Sequence, residues 1–235
     1  MPSRHVLAAL LATGALLGGA LAGCSEEPDE VEATGDERAA QARQAGLDAG
    51  LDEEVAEFLS LLARGDTATY RVRFPGLEEG TELVVRNRPP DRRVDVVADG
   101  EVVEVRQVVD GEAFTCTPDG DDERFTCERT DSLVEPPGVF RSGTLDRLRE
   151  ALAARVDDFT FEIEQRTVSG VAVRCLVTER RPGRDDPELG VTGTICASGE
   201  GAVLLVDQGE ERIEALDYGT DVDPDALRRV DEPGG

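Results

Sequence analysis

Residues 93–117, RVDVVADGEVVEVRQVVDGEAFTCT, contain three strand-like runs joined by two Asp-Gly pairs. Arg93 to Ala98, Glu101 to Val109 and Glu112 to Thr117 are the runs, and Asp99-Gly100 and Asp110-Gly111 separate them. A two-residue turn whose twist matches its strands needs positive φ at both positions, which Asp-Gly supplies at low cost. The stretch therefore predicts antiparallel hairpins in series. The same pattern extends on both sides. Upstream, Tyr70, Val72 and Phe74 alternate with Arg71 and Arg73, and Thr81 to Arg86 follows, cut from the next run by Asn87-Arg88-Pro89-Pro90. Downstream come Phe125 to Glu128, then Phe159, Phe161 and Ile163 alternating with Thr160, Glu162 and Glu164. Val171, Val173 and Cys175 alternate with Ala172 and Arg174, and Val191 to Ala197, Ala202 to Val206 and Arg212 to Tyr218 bring the expectation to ten or eleven strands.

Two helices are expected beside this meander. Val55, Phe58, Leu59 and Leu62 recur at helical spacing between Leu51 and Ala63, with Asp52, Glu53 and Glu54 where the helix dipole favours acids and Gly65 as the stop. Leu145, Leu148, Leu152 and Val156 mark one face of a second helix, from Thr144 as cap to Val156. A sheet face needs an apolar cover, and these helices are the cover available, so the fold class is α+β in one domain of about 180 residues.

The amino terminus carries an address. Arg4 precedes an apolar run from Val6 to Leu21, and Leu21-Ala22-Gly23-Cys24 closes it. The order is that of a secretory signal, and Gly14, Gly18 and Gly19 would weaken a retained spanning helix. The last four residues resemble the bacterial lipobox, which implies a signal peptide over residues 1–23 and a lipidated Cys24 at the new terminus. The expected location is the extracytoplasmic face of the cell membrane, held by two or three acyl chains. Residues 24–47, beginning Ser25-Glu26-Glu27-Pro28-Asp29-Glu30, have too little apolar matter to fold and read as a disordered acidic tether. The domain would then run over residues 48–235, with a short carboxyl-terminal tail.

Loss of residues 1–23 leaves 24 arginines against 51 acids on 212 residues, a net charge of −27, with no lysine, histidine or tryptophan. Such a surface repels nucleic acid and anionic headgroups, so membrane attachment falls to the lipid. With Cys24 assigned to lipid, Cys116, Cys127, Cys175 and Cys196 remain as an even set in an oxidising compartment. Of the three connectivities, Cys116 with Cys127 and Cys175 with Cys196 is favoured, because each pair flanks a turn, at Pro118-Asp119-Gly120 and Arg181-Pro182-Gly183. Zinc is disfavoured by the absence of any CxxC pair or histidine.

Catalytic chemistry finds no foothold in the sequence. Without histidine, serine and cysteine lack their usual base, and no phosphate loop, dinucleotide fingerprint or Schiff-base lysine is present. Glu162 and Glu164 read as a solvated strand face. Asp221, Asp223, Asp225 and Glu232 have calcium-loop spacing, but Ala226 stands where that loop needs glycine. Asp223-Pro224-Asp225 reads better as a capped helix start. The expectation is a non-enzyme with no catalytic residues, no metal and no cofactor.

Several features together resemble the LolA-like fold of bacterial lipoprotein carriers and of actinobacterial lipid-carrying lipoproteins, over about Leu51 to Val230. They are Thr67 to Phe74 after a first helix, Arg88-Pro89-Pro90-Asp91 leading into Arg93 to Val97, Asp110-Gly111-Glu112, Gly170 to Cys175, Thr194-Ile195-Cys196, and Asp221 with Asp223-Pro224. The resemblance implies a half-barrel, a curved antiparallel sheet of about ten strands whose concave face, covered by two helices, accepts acyl chains. Val72, Phe74, Val94, Val96, Phe159, Phe161 and Ile163 are its implied cavity lining, with plain core packing as their alternative role. Two functions follow from it. One is a monomeric carrier of lipid or lipoprotein acyl chains; the other is a tethered sensor or protein-interaction module without lipid cargo. A continuous apolar cavity would favour the first and a filled core the second.

Overall fold

The Asp99-Gly100 and Asp110-Gly111 hairpins form as the sequence predicts. In the computed structural model, Asp99 and Asp110 have φ of 52° and 51°, and their glycines 85° and 78°. A third turn of the same kind, Ser169-Gly170, has φ of 50° and 79°. The structure describes residues 34–76, 78–120, 124–130, 142–183, 192–209 and 211–231. In chain order the elements are α1 (Gly35–Asp48), α2 (Glu53–Gly65), β1 (Tyr70–Pro75), β2 (Thr81–Arg88), β3 (Asp91–Ala98), β4 (Glu101–Val109), β5 (Glu112–Pro118) and β6 (Phe125–Arg129). After these come α3 (Ser142–Ala153), β7 (Phe159–Val168), β8 (Val171–Arg180), β9 (Gly193–Ala197), β10 (Val203–Asp207), β11 (Arg212–Glu214) and β12 (Asp217–Gly219).

The fold is α+β with a curved, unclosed antiparallel arrangement. Its strands divide into a seven-stranded sheet, ordered β12-β1-β2-β3-β4-β5-β6, and a five-stranded sheet, ordered β11-β10-β9-β8-β7. The two meet at a seam. The Ala215 N–H donates to the Leu204 carbonyl of β10 at 2.7 Å, and the next N–H, of Leu216, donates to the Arg73 carbonyl of β1 at 2.6 Å. The predicted strand Arg212 to Tyr218 is thus one chain segment that changes partners at residues 215–216. Across that seam the strands follow one continuous order, β7 to β10, then β11 and β12, then β1 to β6. Among the described residues, β7 and β6 are the unpaired ends.

Folding over at the seam brings the two sheets face to face. Tyr70, Val72, Phe74, Val85 and Val94 of the larger sheet pack with Val168, Val173, Cys175, Cys196, Leu204 and Leu205 of the smaller. The opposite face of the smaller sheet, through Leu176, Ala197 and Val203, packs against Val55, Phe58, Leu59 and Leu62 of α2 and Leu145 and Leu152 of α3. Helix α2 is buried almost all round because α1 covers its outer side. A third cluster, Val105, Phe114 and Cys116, lies where Val230 packs on the far strands of the larger sheet. The carboxyl-terminal segment is therefore a strap: Val222 and Leu227 are buried, and Arg93 donates to the Ala226 carbonyl at 3.2 Å. Asp223 caps the short 3-10 turn Pro224–Leu227, accepting from the Asp225 N–H at 2.9 Å.

Both disulfides join directly opposed register partners, Cys116 with Cys127 on β5 and β6 and Cys175 with Cys196 on β8 and β9. The expected pairing is present. Three expectations need correction. Residues 35–47 of the supposed tether, with Asp48, form α1, which starts at a capping box in which the Glu37 N–H donates to Thr34 Oγ1 and the Thr34 N–H donates to Glu37 Oε2 at 2.8 Å. Its apolar content is small, but Ala39 and Gly46 are buried, and Gly46 lies so close to Ala56 that a Cβ there would come within 3.2 Å of that side chain. Packing on α2, not intrinsic propensity, makes this helix. The cover is accordingly three helices, not two, and Thr144 lies inside α3 instead of capping it.

Candidate functional site

The implied cavity residues do not converge. Val72, Phe74 and Val94 are 1%, 2% and 5% exposed inside the cluster between the sheets, which their own side chains fill. Phe161 and Ile163 pack on the helix side of the smaller sheet, so the intervening sheet separates them from the first three. Val96 is half-buried, and Phe159 is fully buried in the wall of a hollow of about 310 Å³ with Phe161, Leu51, Val156 and Arg181. Arg181 closes one side of that hollow, donating to the Phe159 and Val156 carbonyls at 3.1 and 3.2 Å. Cys24 and the signal segment lie outside the described residues.

A second hollow is better built for an apolar guest. Three helical stripes converge on it: Arg38, Gln41, Ala42 and Ala45 from α1, Leu59, Ala63 and Asp66 from α2 and its cap, and Leu145, Asp146 and Arg149 from α3. The α1 residues follow i, i+3, i+4, i+7 spacing, which puts them on one face. Ala42, Ala45 and Ala63 leave room where larger side chains would close the helix contact, and Leu59 and Leu145 supply apolar walls. The volume is about 210 Å³. At about 30 Å³ per water-sized group this holds roughly seven such groups, less than a long acyl chain.

One end of the groove is polar and built in depth. Asp66 accepts from Arg38 Nη1 at 2.8 Å and from Arg92 Nη2 at 3.1 Å. Arg92, on β3, is 7% exposed and also donates from Nε to Asn87 Oδ1 at 2.7 Å. Asn87 in turn donates to the Ala68 and Gly65 carbonyls at 2.7 and 3.3 Å, tying the end of α2 to β2. Arg92 Nη1 is buried without a hydrogen-bond partner. Burial pushes the neighbouring Tyr70 phenol up to about 12; the Arg92 charge opposes that shift and the Asp66 charge adds to it. On the α3 side, Arg149 pairs with Asp146 at 2.9 Å.

The end of α2 is placed by two glycines. A Cβ on Gly65 would lie 2.3 Å from the Gly201 carbonyl oxygen, and one on Gly201 2.1 Å from the Leu61 oxygen. Beside that turn, Tyr218 donates to Glu200 Oε2 at 2.6 Å and holds its carboxyl below the usual range. Among the described residues, no group of three or more His, Cys, Asp or Glu side chains could hold a metal, and no helix is long and apolar enough to cross a membrane. Sequence reading missed Arg38, Gln41, Ala42 and Ala45 because they lie in the segment taken as tether. The signal was Thr34-x-x-Glu37, a capping box directly ahead of their stripe. The chain matches no protein-family model and no curated protein.

Proposed function

We propose that this is a lipid-anchored, non-catalytic binding protein of the cell envelope, held on the extracytoplasmic face through Cys24, that accepts an apolar chain in the groove between α1, α2 and α3. The observation that carries this reading is the alanine-lined groove itself, closed on three sides by helices and ending at a buried arginine network. Nine residues lie between Cys24 and Thr34, ten steps of chain with a contour of at most about 35 Å, so an anchor at Cys24 would keep the groove near the bilayer that supplies such chains. The unclosed antiparallel sheet with helices supports the likeness to LolA-like lipoproteins, but the space between its halves is filled, so the proposed guest site lies among the helices. Binding of this kind works by desolvation and needs no base or metal.

Native mass spectrometry of the mature protein purified from its own host tests the reading. A co-purifying lipid, or uptake of an added fatty-acid probe, is the expected result. A bare mass that takes up no probe would overturn it and favour the second function, a tethered protein-interaction module. One observation supports that alternative: Tyr70, Phe74, Leu204 and Leu205 fill the space between the sheets, at 0–3% exposure.

A further inference from the structure

We infer that the free edge of β7, with the hollow at its amino end, is a docking site for an extended segment of another protein, added to the smaller sheet as a further strand and anchored by an arginine or lysine. This goes beyond the groove reading and stands without it. Three observations carry it. The first lies in the main chain. Val168 and Val171 flank the two-residue Ser169-Gly170 turn and so form a hydrogen-bonded pair, and bonding to β8 recurs at every second residue from there, at Arg166, Glu164, Glu162 and Thr160. The N–H and carbonyl groups of Phe161, Ile163, Gln165 and Thr167 therefore point away from β8, and among the described residues no strand lies on that side. Phe159 fits this phase: its N–H donates to the Arg155 carbonyl at 3.0 Å and its carbonyl accepts from Arg181 Nε at 3.1 Å. Those bonds close the amino end of the strand and leave the later residues as a template for another chain.

The second observation is the hollow of about 310 Å³. Phe159, Thr160, Phe161 and Glu162 all border it, and because strand neighbours point to opposite faces, it lies along the edge of β7 and not over one face. Leu51 and Val156 add apolar walls, and at about 30 Å³ per water-sized group it holds roughly ten, enough for one long side chain. The third observation is charge. Asp52 and Glu162 line the hollow, and neither has an ion-pair partner among the described residues. Arg181, the cation of the lining, is committed to the Phe159 and Val156 carbonyls, and Arg155 stands over the Phe159 ring at 5.8 Å without lining the hollow. Two acids thus face one base, on a chain whose net charge of −26 steers a basic partner the same way. An arginine or lysine would lay its stem on Phe161 and Leu51 and its head against the acids. Farther along, Glu164 and Arg166 pair with each other at 2.7 Å and select nothing.

Amide chemical shifts of the whole mature chain with Cys24→Ser, titrated with capped peptides, test this. The probe is acetylated and amidated Thr-Val-Thr-Val-Thr-Arg, whose carboxyl-terminal arginine reaches the hollow when the peptide runs antiparallel to β7. Its analogues end in glutamate, or carry N-methyl groups on alternate amides in one phase or the other. The largest shifts are expected at Phe161, Ile163, Gln165 and Thr167, and the glutamate peptide should bind at least about tenfold more weakly. One phase of N-methylation should abolish binding and the other leave it intact. Gln165→Pro removes an outward N–H without touching the β8 ladder, so this variant should fold and lose the peptide; should it not fold, the two N-methylated peptides read the same edge. Asp52→Asn with Glu162→Gln should bring the arginine peptide down to the level of the glutamate one. No shift along β7, or the same response to both N-methylation phases, would overturn strand addition. Equal affinity of the arginine and glutamate peptides would overturn the basic anchor. Shifts along β7 that grow with protein concentration in the absence of peptide would give the edge to a second copy and overturn the partner. The groove between the helices is read separately, by uptake of the fatty-acid probe.

Discussion

Gly201→Ala should be among the most damaging single-methyl additions in this protein, and its cost can be divided into two parts that other glycines isolate. Gly201 has φ of +89°, and a Cβ there would sit 2.1 Å from the Leu61 oxygen and 2.6 Å from the Gly65 nitrogen. Both contacts are with α2 backbone, so no side chain can rotate away. The left-handed φ alone costs about 1 kcal/mol for alanine relative to glycine. Forcing the turn off the helix adds overpacking of about 3 kcal/mol. The total, about 4 kcal/mol, is a large part of the 5–15 kcal/mol typical of a folded domain. Gly100→Ala isolates the first part, since its φ is +85° with nothing within 4 Å. Gly65→Ala isolates the second, meeting the Gly201 oxygen at 2.3 Å from a helical position. Gly199→Ala, in open space, is the control and should be silent. Urea denaturation of the oxidised chain, followed by far-ultraviolet circular dichroism, gives the four free energies. The cost of Gly201→Ala should approximate the sum of the Gly65→Ala and Gly100→Ala costs. A Gly201→Ala cost no greater than that of Gly100→Ala would refute the reasoning, because the close approach of the turn to α2 would then count for nothing.

Alkaline pH should unfold the protein through its tyrosines. The Tyr70 phenol, raised by burial to about 12, favours the fold fully below its ordinary value near 10, and that contribution is lost as pH climbs through 12, about 3 kcal/mol in all. Tyr218, also raised by burial and by its bond to Glu200, acts in the same direction; tyrosinate absorbance should therefore rise only above pH 10 and together with loss of structure, and Tyr70→Phe should flatten the decline. Removing either disulfide should cost about 3 kcal/mol by the loop-entropy estimate, measured as a shift in urea midpoint for the paired Cys→Ala variants. Under limiting reductant, alkylation and mass mapping should find Cys116 and Cys127 opened first, because Cys127 is only half-buried while Cys175 and Cys196 are 0% exposed. Thr34→Ala removes the capping box and should destabilise α1 by about 1 kcal/mol, seen as faster amide exchange in residues 35–48 with little change in α2.

What the sequence revealed and what it hid divide along the range of the interactions. Asp99-Gly100 and Asp110-Gly111 are local: their dihedral requirement sits in two residues, so hairpin register follows directly. The cysteine pairing was legible for the same reason, since each pair lies across one hairpin-like connection. Ser169-Gly170 makes the same turn, but serine is a weaker signal than aspartate there. The seam at Ala215 and Leu216 was not legible, because alternation shows which residues share a face and not which neighbour a strand selects on each edge. That same limit scattered the implied cavity residues: Phe161 and Phe74 alternate equally well, yet face opposite sides of the five-stranded sheet. Helix α1 was hidden differently. Its composition is that of a solvated segment, and the small buried residues Ala39 and Gly46, the latter set against Ala56 and Leu59 of α2, give it a place to dock.

That manner of docking bears on the site. Helix α1 is held by two small buried residues, by Arg43 pairing with Glu53 at 2.6 Å and with Glu57, and by Arg38 on Asp66. These pairs are one-third or more exposed on at least one partner, so each contributes little in water. Helix α2, by contrast, is locked by Phe58, Leu59 and Leu62, each 0–1% exposed. The groove therefore has one wall, α2, locked by core packing and another, α1, held by small residues and exposed ion pairs, and α1 is the element nearest the proposed anchor at Cys24 in sequence. A guest that touches α1 and α2 together binds only the docked arrangement, so by linkage it stabilises α1 by RT ln(1 + [L]/Kd), about 2.7 kcal/mol at a hundredfold excess over Kd. Such a gain exceeds what any single exposed ion pair gives. If the groove takes a guest as proposed, its occupancy and the attachment of α1 would be one equilibrium, and amide exchange in residues 35–48 would read both.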